Sequence, residues 1–339
     1  MNKKYLGKTG LDVYPIGLGG IPIQRVTKDE AIDVIRVAID NGVNFIDSAR
    51  GYTCSEEYIG EALVGMREKV YLATKSMART YEQMKKDIET SLFNFKTNYI
   101  DLYQMHNVKN IDEFMLIISD NGAYRALKEA KDEGKIHHIG ITAHSQDLLK
   151  WLINNKEYCD LIETIQFPFN FVEDNGLELL ELAKAKGLGT IAMKPLAGGA
   201  IDKGQVAIKW LMNVKALDVA IPGMGSIDEV KDIFSISSLE LNDEEKEYIN
   251  KLRKDLDGNF CHRCGYCLPC TKGIDIPGTM TLERYYLYYN LKGWAETRYF
   301  ASKVLPSECI NCGVCVKRCP YNIDIPTKLK NIVKLFEKE

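Results

Sequence analysis

A chain of 339 residues, 45% apolar and 27% charged, has the composition of a soluble globular protein with one large domain and room for a small second one. Its net charge of -3 gives no basic field for nucleic acid and no polybasic patch for a membrane. The opening MNKKYLGKTGLDVYPIGLGG has no apolar signal core, and no run of about 18 apolar residues occurs anywhere, so a cytoplasmic location is expected.

In chain order, short apolar runs alternate with amphipathic stretches. The runs are Val13–Leu18, Val43–Asp47, Val70–Thr74, Ile100–Gln104, Ile136–Ile141, Leu161–Gln166, Thr190–Met193 and Val219–Ile221. Thr27 and Glu30 form a capping box ahead of Ile32, Ile35, Ala38 and Ile39, and Asn41-Gly42 stops that helix. Ser226 and Glu229 repeat the capping pattern before Val230 and Ile233. Eight strand–helix units in about 250 residues predict a (β/α)8 TIM barrel. The competing doubly wound sheet lacks a GxGxxG after its first strand.

Barrel chemistry sits where strands end at the C-terminal face. Asp47 ends the second predicted strand in NFIDSARGY, with Tyr52 five residues on; Lys75 ends the third in VYLATKS, and His106 the fourth in DLYQMHN. Any one of these alone is more often a packed or hydrogen-bonded residue than a catalyst. Together their chemistry is complementary. A lysine ammonium beside a tyrosine favours the phenolate, and an aspartate keeps the lysine charged. Such a tyrosine can protonate a carbonyl oxygen as hydride reaches the carbon, while the histidine orients that oxygen.

These residues, with LGKTGLDVYPIGLGG, SEEYIGEAL and IAMKPLAGG around them, resemble the aldo-keto reductase family over roughly residues 3 to 255. The resemblance implies Tyr52 as general acid, Lys75 and Asp47 as its tuning pair, and His106 as the carbonyl-orienting group. It also implies NADPH or NADH across the barrel mouth. Gln166 and Thr142 would meet the nicotinamide, Lys194, Leu196 and Gly198 the pyrophosphate, and Gly223 and Ser226 the adenosine end. The sequence departs from the family at that end: Gly223 and Met224 replace a basic residue, Glu229 stands where an arginine often sits, and Ile233 replaces an asparagine. Thr142-Ala143 likewise replaces a Ser-Asn pair.

Eight of the ten cysteines fall between Cys261 and Cys319, which places a domain boundary near Asp257-Gly258: residues 1–256 for the barrel and 257–339 for a small, mainly helical second domain. Cys54 and Cys159 stand apart, as small buried residues. Cys261, Cys264, Cys267 and Cys270 form C-x2-C-x2-C-x2-C; Cys309, Cys312, Cys315 and Cys319 form C-x2-C-x2-C-x3-C before Pro320. The second is the bacterial ferredoxin run, in which the fourth cysteine ligates the other cluster. KGIDIP after Cys270 and YNIDIP after Cys319 mark an internal repeat. The pattern is similar to ferredoxin-like domains appended to some aldo-keto reductases, which implies two [4Fe-4S] clusters. One would use Cys261, Cys264, Cys267 and Cys319, the other Cys309, Cys312, Cys315 and Cys270. The first run is one residue short before Cys270, and zinc sites built from four cysteines are the structural alternative. The tyrosine-rich segment between the runs reads as helical packing surface.

The expected activity is reduction of a small carbonyl compound, or oxidation of an alcohol, with NAD(P)H. A cluster carries single electrons and nicotinamide a hydride, so direct exchange needs a converter, normally a flavin. No flavin motif is visible, although barrels bind flavin phosphate without one. Two other functions follow: a reductase fed by ferredoxin or another redox protein, and a non-enzymatic iron–sulfur redox sensor.

Overall fold

The computed structural model describes residues 1–256, 260–263, 265–319 and 321–337; the Asp257-Gly258 boundary, Cys264 and Pro320 lie outside them. Two compact units emerge, residues 1–196 with 203–241, and residues 197–202 with 242–339. Among the described residues no helix is long and apolar enough to cross a membrane.

The first unit is the expected barrel. Its strands are β1 (Leu18–Gly19), β2 (Phe45–Asp47), β3 (Tyr71–Ser76), β4 (Ile100–Met105), β5 (Ile136–Thr142), β6 (Thr164–Pro168), β7 (Gly189–Met193) and β8 (Val219–Ala220). Each pairs in parallel with its sequence neighbour. Bonds from Gly17 N to Ala220 O (2.8 Å) and Gly19 N to Pro222 O (2.8 Å) close the ring. The closure needs glycine, because a Cβ on Gly19 would lie 2.8 Å from Ile221 O.

The first apolar run divides, contrary to the single strand expected over Val13–Leu18. Val13 pairs with Lys4 in an antiparallel hairpin, while Leu18–Gly19 pairs with β2 and Ile16 bridges to Ala220 of β8. Pro15, with no N–H to offer a ladder, lies between the two. The hairpin seals the barrel floor: Leu6, Leu11 and Val13 pack with Phe45, Ala73, Leu102, Ile191 and Val219.

The helices form the outer layer, beginning with α1 (Lys28–Asp40), which starts at the Thr27–Glu30 capping box and ends at Asn41 as its pattern predicts. Ala31, Val34, Ile35 and Ala38 form its buried face.

The N-terminal ends of the strands are pinned by ion pairs. Glu163 accepts from His138 Nδ1 (2.7 Å) and Lys131 Nζ (2.6 Å). Burial alone would raise the Glu163 carboxyl, but its hydrogen bonds, His138 foremost, outweigh that and bring it down to about 2. A depressed folded-state value contributes stability above the unfolded carboxyl's pKa, and that stability is lost as pH falls toward 2. Glu163→Gln should therefore lower the melting temperature near neutrality and flatten its decline between about pH 4.5 and 2, as read by calorimetry at stepped pH.

Candidate active site and cysteine cavity

Strand register pairs the polar residues of the barrel interior across neighbouring strands. Lys75 lies opposite Gln104, and Thr142 opposite Gln166. Lys75 is 1% and Asp47 2% exposed, and the Lys75 ammonium donates to Asp47 Oδ2 and to Ser48 O (2.7 Å). Gln104 Nε2 donates to Asp47 Oδ1 (3.0 Å). Burial pulls the lysine down and pushes the aspartate up, while each charge opposes the other's shift. The ion pair survives because its polar atoms are hydrogen-bonded.

Tyr52 sits above this pair in a tight turn, its N–H on Ala49 O (3.0 Å) and its carbonyl accepting from Ser55 N (2.7 Å). The Lys75 ammonium lies 5.1 Å from the Tyr52 ring centroid. His106 meets the same ring edge-on, 6.1 Å between centroids at 86°. The four residues singled out from strand ends thus converge.

Burial first, then the nearby charges of Lys75, Arg79 and Lys194, lower the His106 pKa well below 6.5. Its Nδ1 is buried without a hydrogen-bond partner among the described residues, and its loop is fixed by Arg79 Nη2 on His106 O (2.8 Å).

Sequence reasoning passed over Glu56, which backs the site from the helix Ser55–Ala62. It is 1% exposed and accepts from Arg50 Nη1, Thr74 Oγ1 (2.7 Å) and Ser91 Oγ (2.9 Å). Its charge also favours the Lys75 ammonium. The one signal was an acidic residue on the face of a helix turned toward the barrel.

The expected coenzyme residues are used unevenly. The Gln166 Oε1 is buried with no partner among the described residues, an acceptor suited to an amide N–H. The Thr142 hydroxyl accepts from Asn107 N (2.8 Å), holding the loop after His106. Lys194 has a left-handed backbone (φ 54°) and its carbonyl accepts from Asn170 Nδ2 (3.0 Å); Leu196 is half-buried. Gly198 belongs to the second unit, in a turn of three left-handed residues against the Arg284 guanidinium.

At the other end Gly223 packs on Pro22, and Ser226 caps the helix Ile227–Phe234 by accepting from Glu229 N (3.1 Å). The Glu229 carboxylate leaves the capping box open. It binds Gly225 N (2.6 Å) and, through both oxygens, Arg25 Nη2 (2.6 and 2.9 Å). Arg25 was missed because it arrives from the turn Pro22–Arg25, about two hundred residues earlier in the chain.

In the second unit the two cysteine runs repeat each other's backbone. Arg263 and Gly265 have φ of 58° and 84°; Asn311 and Gly313, at the matching positions, have 54° and 71°. Gly273 N bonds Cys270 O (2.9 Å) and Asn322 N bonds Cys319 O (3.3 Å). Asp275 caps the helix Ile276–Leu287, and the Asp324 carboxylate likewise accepts from Thr327 N at the start of Ile325–Glu337.

One cavity is lined by Cys270, Cys309, Cys312 and Cys315, with Ile276, Val314 and Leu329 around them. The shortened first run therefore does not displace Cys270. No three His, Cys, Asp or Glu side chains among the described residues converge to hold a single metal ion; the four thiols border a cavity rather than a point. The Thr271 hydroxyl, then the Val314 amide, hold the Cys312 thiol below its ordinary pKa, while burial raises that of Cys315. Cys261, Cys267 and Cys319 belong to the same hydrophobic cluster as this cavity, and His262 stacks on Tyr321 at 3.7 Å. The tyrosine-rich segment packs in part, with Tyr285 on Trp294 and buried Tyr299 on Phe336, while Tyr288 and Phe300 are exposed. Cys159 is buried as expected, whereas Cys54 is half-buried at the start of its helix.

The fold and the comparisons with known proteins define an oxidoreductase. Residues 15–205, more than half the chain, match the model of the aldo/keto reductase family, and the protein belongs to that family. Residues 260–324 match the 4Fe-4S dicluster domain. The chain is 29% identical over 220 residues to the uncharacterized oxidoreductase YqkF of Bacillus subtilis, covering 60% of this chain and 67% of that protein. It is 25% identical over 302 residues to L-galactose dehydrogenase of Arabidopsis thaliana, covering 74% and 93%. An aldo-keto reductase from Klebsiella pneumoniae in complex with NADPH shares the fold, with a TM-score of 0.63 at 23% identity over 75% of this chain and 95% of that one.

The His106 environment makes a direct prediction. Its imidazole should remain neutral at about pH 6.5, where an ordinary histidine is half protonated. Nitrogen NMR of labelled protein between about pH 5 and 8 would show a flat His106 signal; a midpoint near the ordinary histidine value would contradict the assignment.

Proposed function

We propose that the barrel reduces a small carbonyl compound, or oxidises the corresponding alcohol, by hydride transfer from NADH or NADPH. The observation that carries this reading is the buried Lys75–Asp47 pair beneath the Tyr52 ring. Reduced nicotinamide supplies the hydride to the carbonyl carbon. Tyr52 Oη gives its proton to the carbonyl oxygen, and the Lys75 charge stabilises the phenolate left behind. Asp47 and Ser48 O fix the ammonium so that little reorganisation accompanies this transfer. Neutral His106 orients the carbonyl oxygen without competing as an acid. Reversal of these steps serves alcohol oxidation.

Gln166 fits the coenzyme's carboxamide through its unsatisfied Oε1. Lys194, Leu196 and Gly198 are assigned to the pyrophosphate, and Thr142 shapes the wall beside the nicotinamide. At the adenosine end, near Gly223 and Ser226, the Arg25 guanidinium is paired with Glu229, and NADPH or NADH is the coenzyme.

We assign two [4Fe-4S] clusters to the second unit, one to Cys309, Cys312, Cys315 and Cys270, which line one cavity, and the other to Cys261, Cys264, Cys267 and Cys319. Thiolate donors, apolar walls and hydroxyl or amide hydrogen bonds to sulfur are what such a cluster requires.

Two variants test the two halves separately. Tyr52→Phe should lower carbonyl reduction by at least about 10²-fold, the scale of a lost general acid, with iron content unchanged. Cys312→Ser should reduce the iron bound per chain. Unchanged turnover in the first, or unchanged iron in the second, would overturn the corresponding assignment.

A further inference from the structure

We propose that the mouth of the Cys270–Cys309–Cys312–Cys315 cavity docks an acidic one-electron carrier protein, which reduces the cluster held there. The inference rests on the cluster assignment above and adds its partner.

The cavity is open on one side. Cys315 lies 8% exposed at its base, whereas Cys312 is exposed. Ile310, between Cys309 and Cys312, is 58% exposed, and Leu268, two residues before Cys270, is 39% exposed. Apolar side chains standing in water beside a thiolate ligand give a partner a dry contact at the point of shortest approach to the iron. Electron-transfer encounters are small and short-lived, so a few such residues suffice.

The rim is basic. Lys272 lines the cavity, and Lys317 and Arg318 are exposed on the helix that follows Gly313. Arg318 Nη1 donates to Pro269 O (3.1 Å), which places its guanidinium at the edge of the same cavity. The acids of the same segments are Glu308 and the two helix caps Asp275 and Asp324, which bond Gly278 N (3.1 Å) and Thr327 N (3.3 Å).

The charge pattern is specific to this end of the chain. Residues 260–339 carry twelve Lys and Arg against seven Asp and Glu, a net +5, whereas residues 1–259 carry thirty-two against forty, a net -8. A chain that is acidic overall therefore carries a net positive charge in the segment that holds both cysteine runs. That field attracts an acidic protein to the cluster mouth and turns it away from the rest of the surface. One electron passes from the reduced carrier to the oxidised cluster, [4Fe-4S]2+ becoming [4Fe-4S]+. No bond forms, no proton moves, and the carrier leaves oxidised by one electron.

The test uses the whole iron-loaded protein and reduced flavodoxin, an acidic carrier whose flavin bands are distinct from those of a cluster. Anaerobic stopped-flow mixing should give a second-order rate constant that falls steeply with ionic strength. It should also fall at least about 10-fold when Lys272, Lys317 and Arg318 are all changed to Glu, with iron content and coenzyme-dependent carbonyl reduction unchanged. Should the triple variant bind less iron, Lys317→Glu and the wild-type salt series carry the test. A rate indifferent to both salt and charge reversal overturns the docking surface while leaving the clusters in place. Protein isolated anaerobically without iron overturns the cluster assignment and the docking surface together. Carbonyl reduction scored on the same samples reports on the barrel independently.

Discussion

The buried ion pair between Lys75 and Asp47 is the constraint on which the barrel site depends. Removing two charges from water costs several kcal/mol per ion, offset only by good geometry and further hydrogen bonds. Here the compensation is spread over three strands: Asp47 on β2, Lys75 on β3, and Gln104 on β4 as second donor to the carboxylate. Parallel pairing sets Lys75 opposite Gln104 and Asp47 opposite Ala73, two residues before the lysine. Glu56 adds a second negative charge to balance the cations gathered around His106. The closed ring and the sealed floor are what keep that interior dry.

Much of this was legible in the sequence because it follows from local rules. Strand–helix alternation pointed to the barrel, and Asp47, Lys75 and His106 were visible as polar residues ending apolar runs. The Thr27–Glu30 box and the repeated IDIP turns were read as they stand in the structure. What escaped depends on distant encounters. Arg25 meets Glu229 only because the barrel closes its first strand on its last. Pro15 splits an apolar run that hydropathy alone joins. Thr142 and Ser226 show a different limit: their residue types suit a ligand, but their hydroxyls are committed to backbone amides. Pattern identifies a hydrogen-bonding group without saying whom it serves.

The two units handle electrons differently. The reaction proposed for the barrel moves a hydride, formally two electrons, with Tyr52 moving only the proton, while a cubane moves one electron at a time. The cysteine unit presents an exposed Cys312 beside basic residues, as the proposed exchange with a carrier needs, whereas the barrel's ion pair is buried. The simplest account consistent with both is that the barrel completes hydride transfer with its own residues, and that the clusters answer to a separate partner.

Isotope tracing tests that account most directly. Iron-loaded protein would be mixed anaerobically with a carbonyl substrate and nicotinamide coenzyme deuterated at the transferring carbon, and the product analysed by mass spectrometry. The account predicts one deuterium on the former carbonyl carbon of each alcohol formed, with no change in cluster absorption during turnover. Product carrying solvent hydrogen at that carbon, formed while the clusters bleach and recover, would contradict it and assign the reduction to electrons delivered singly.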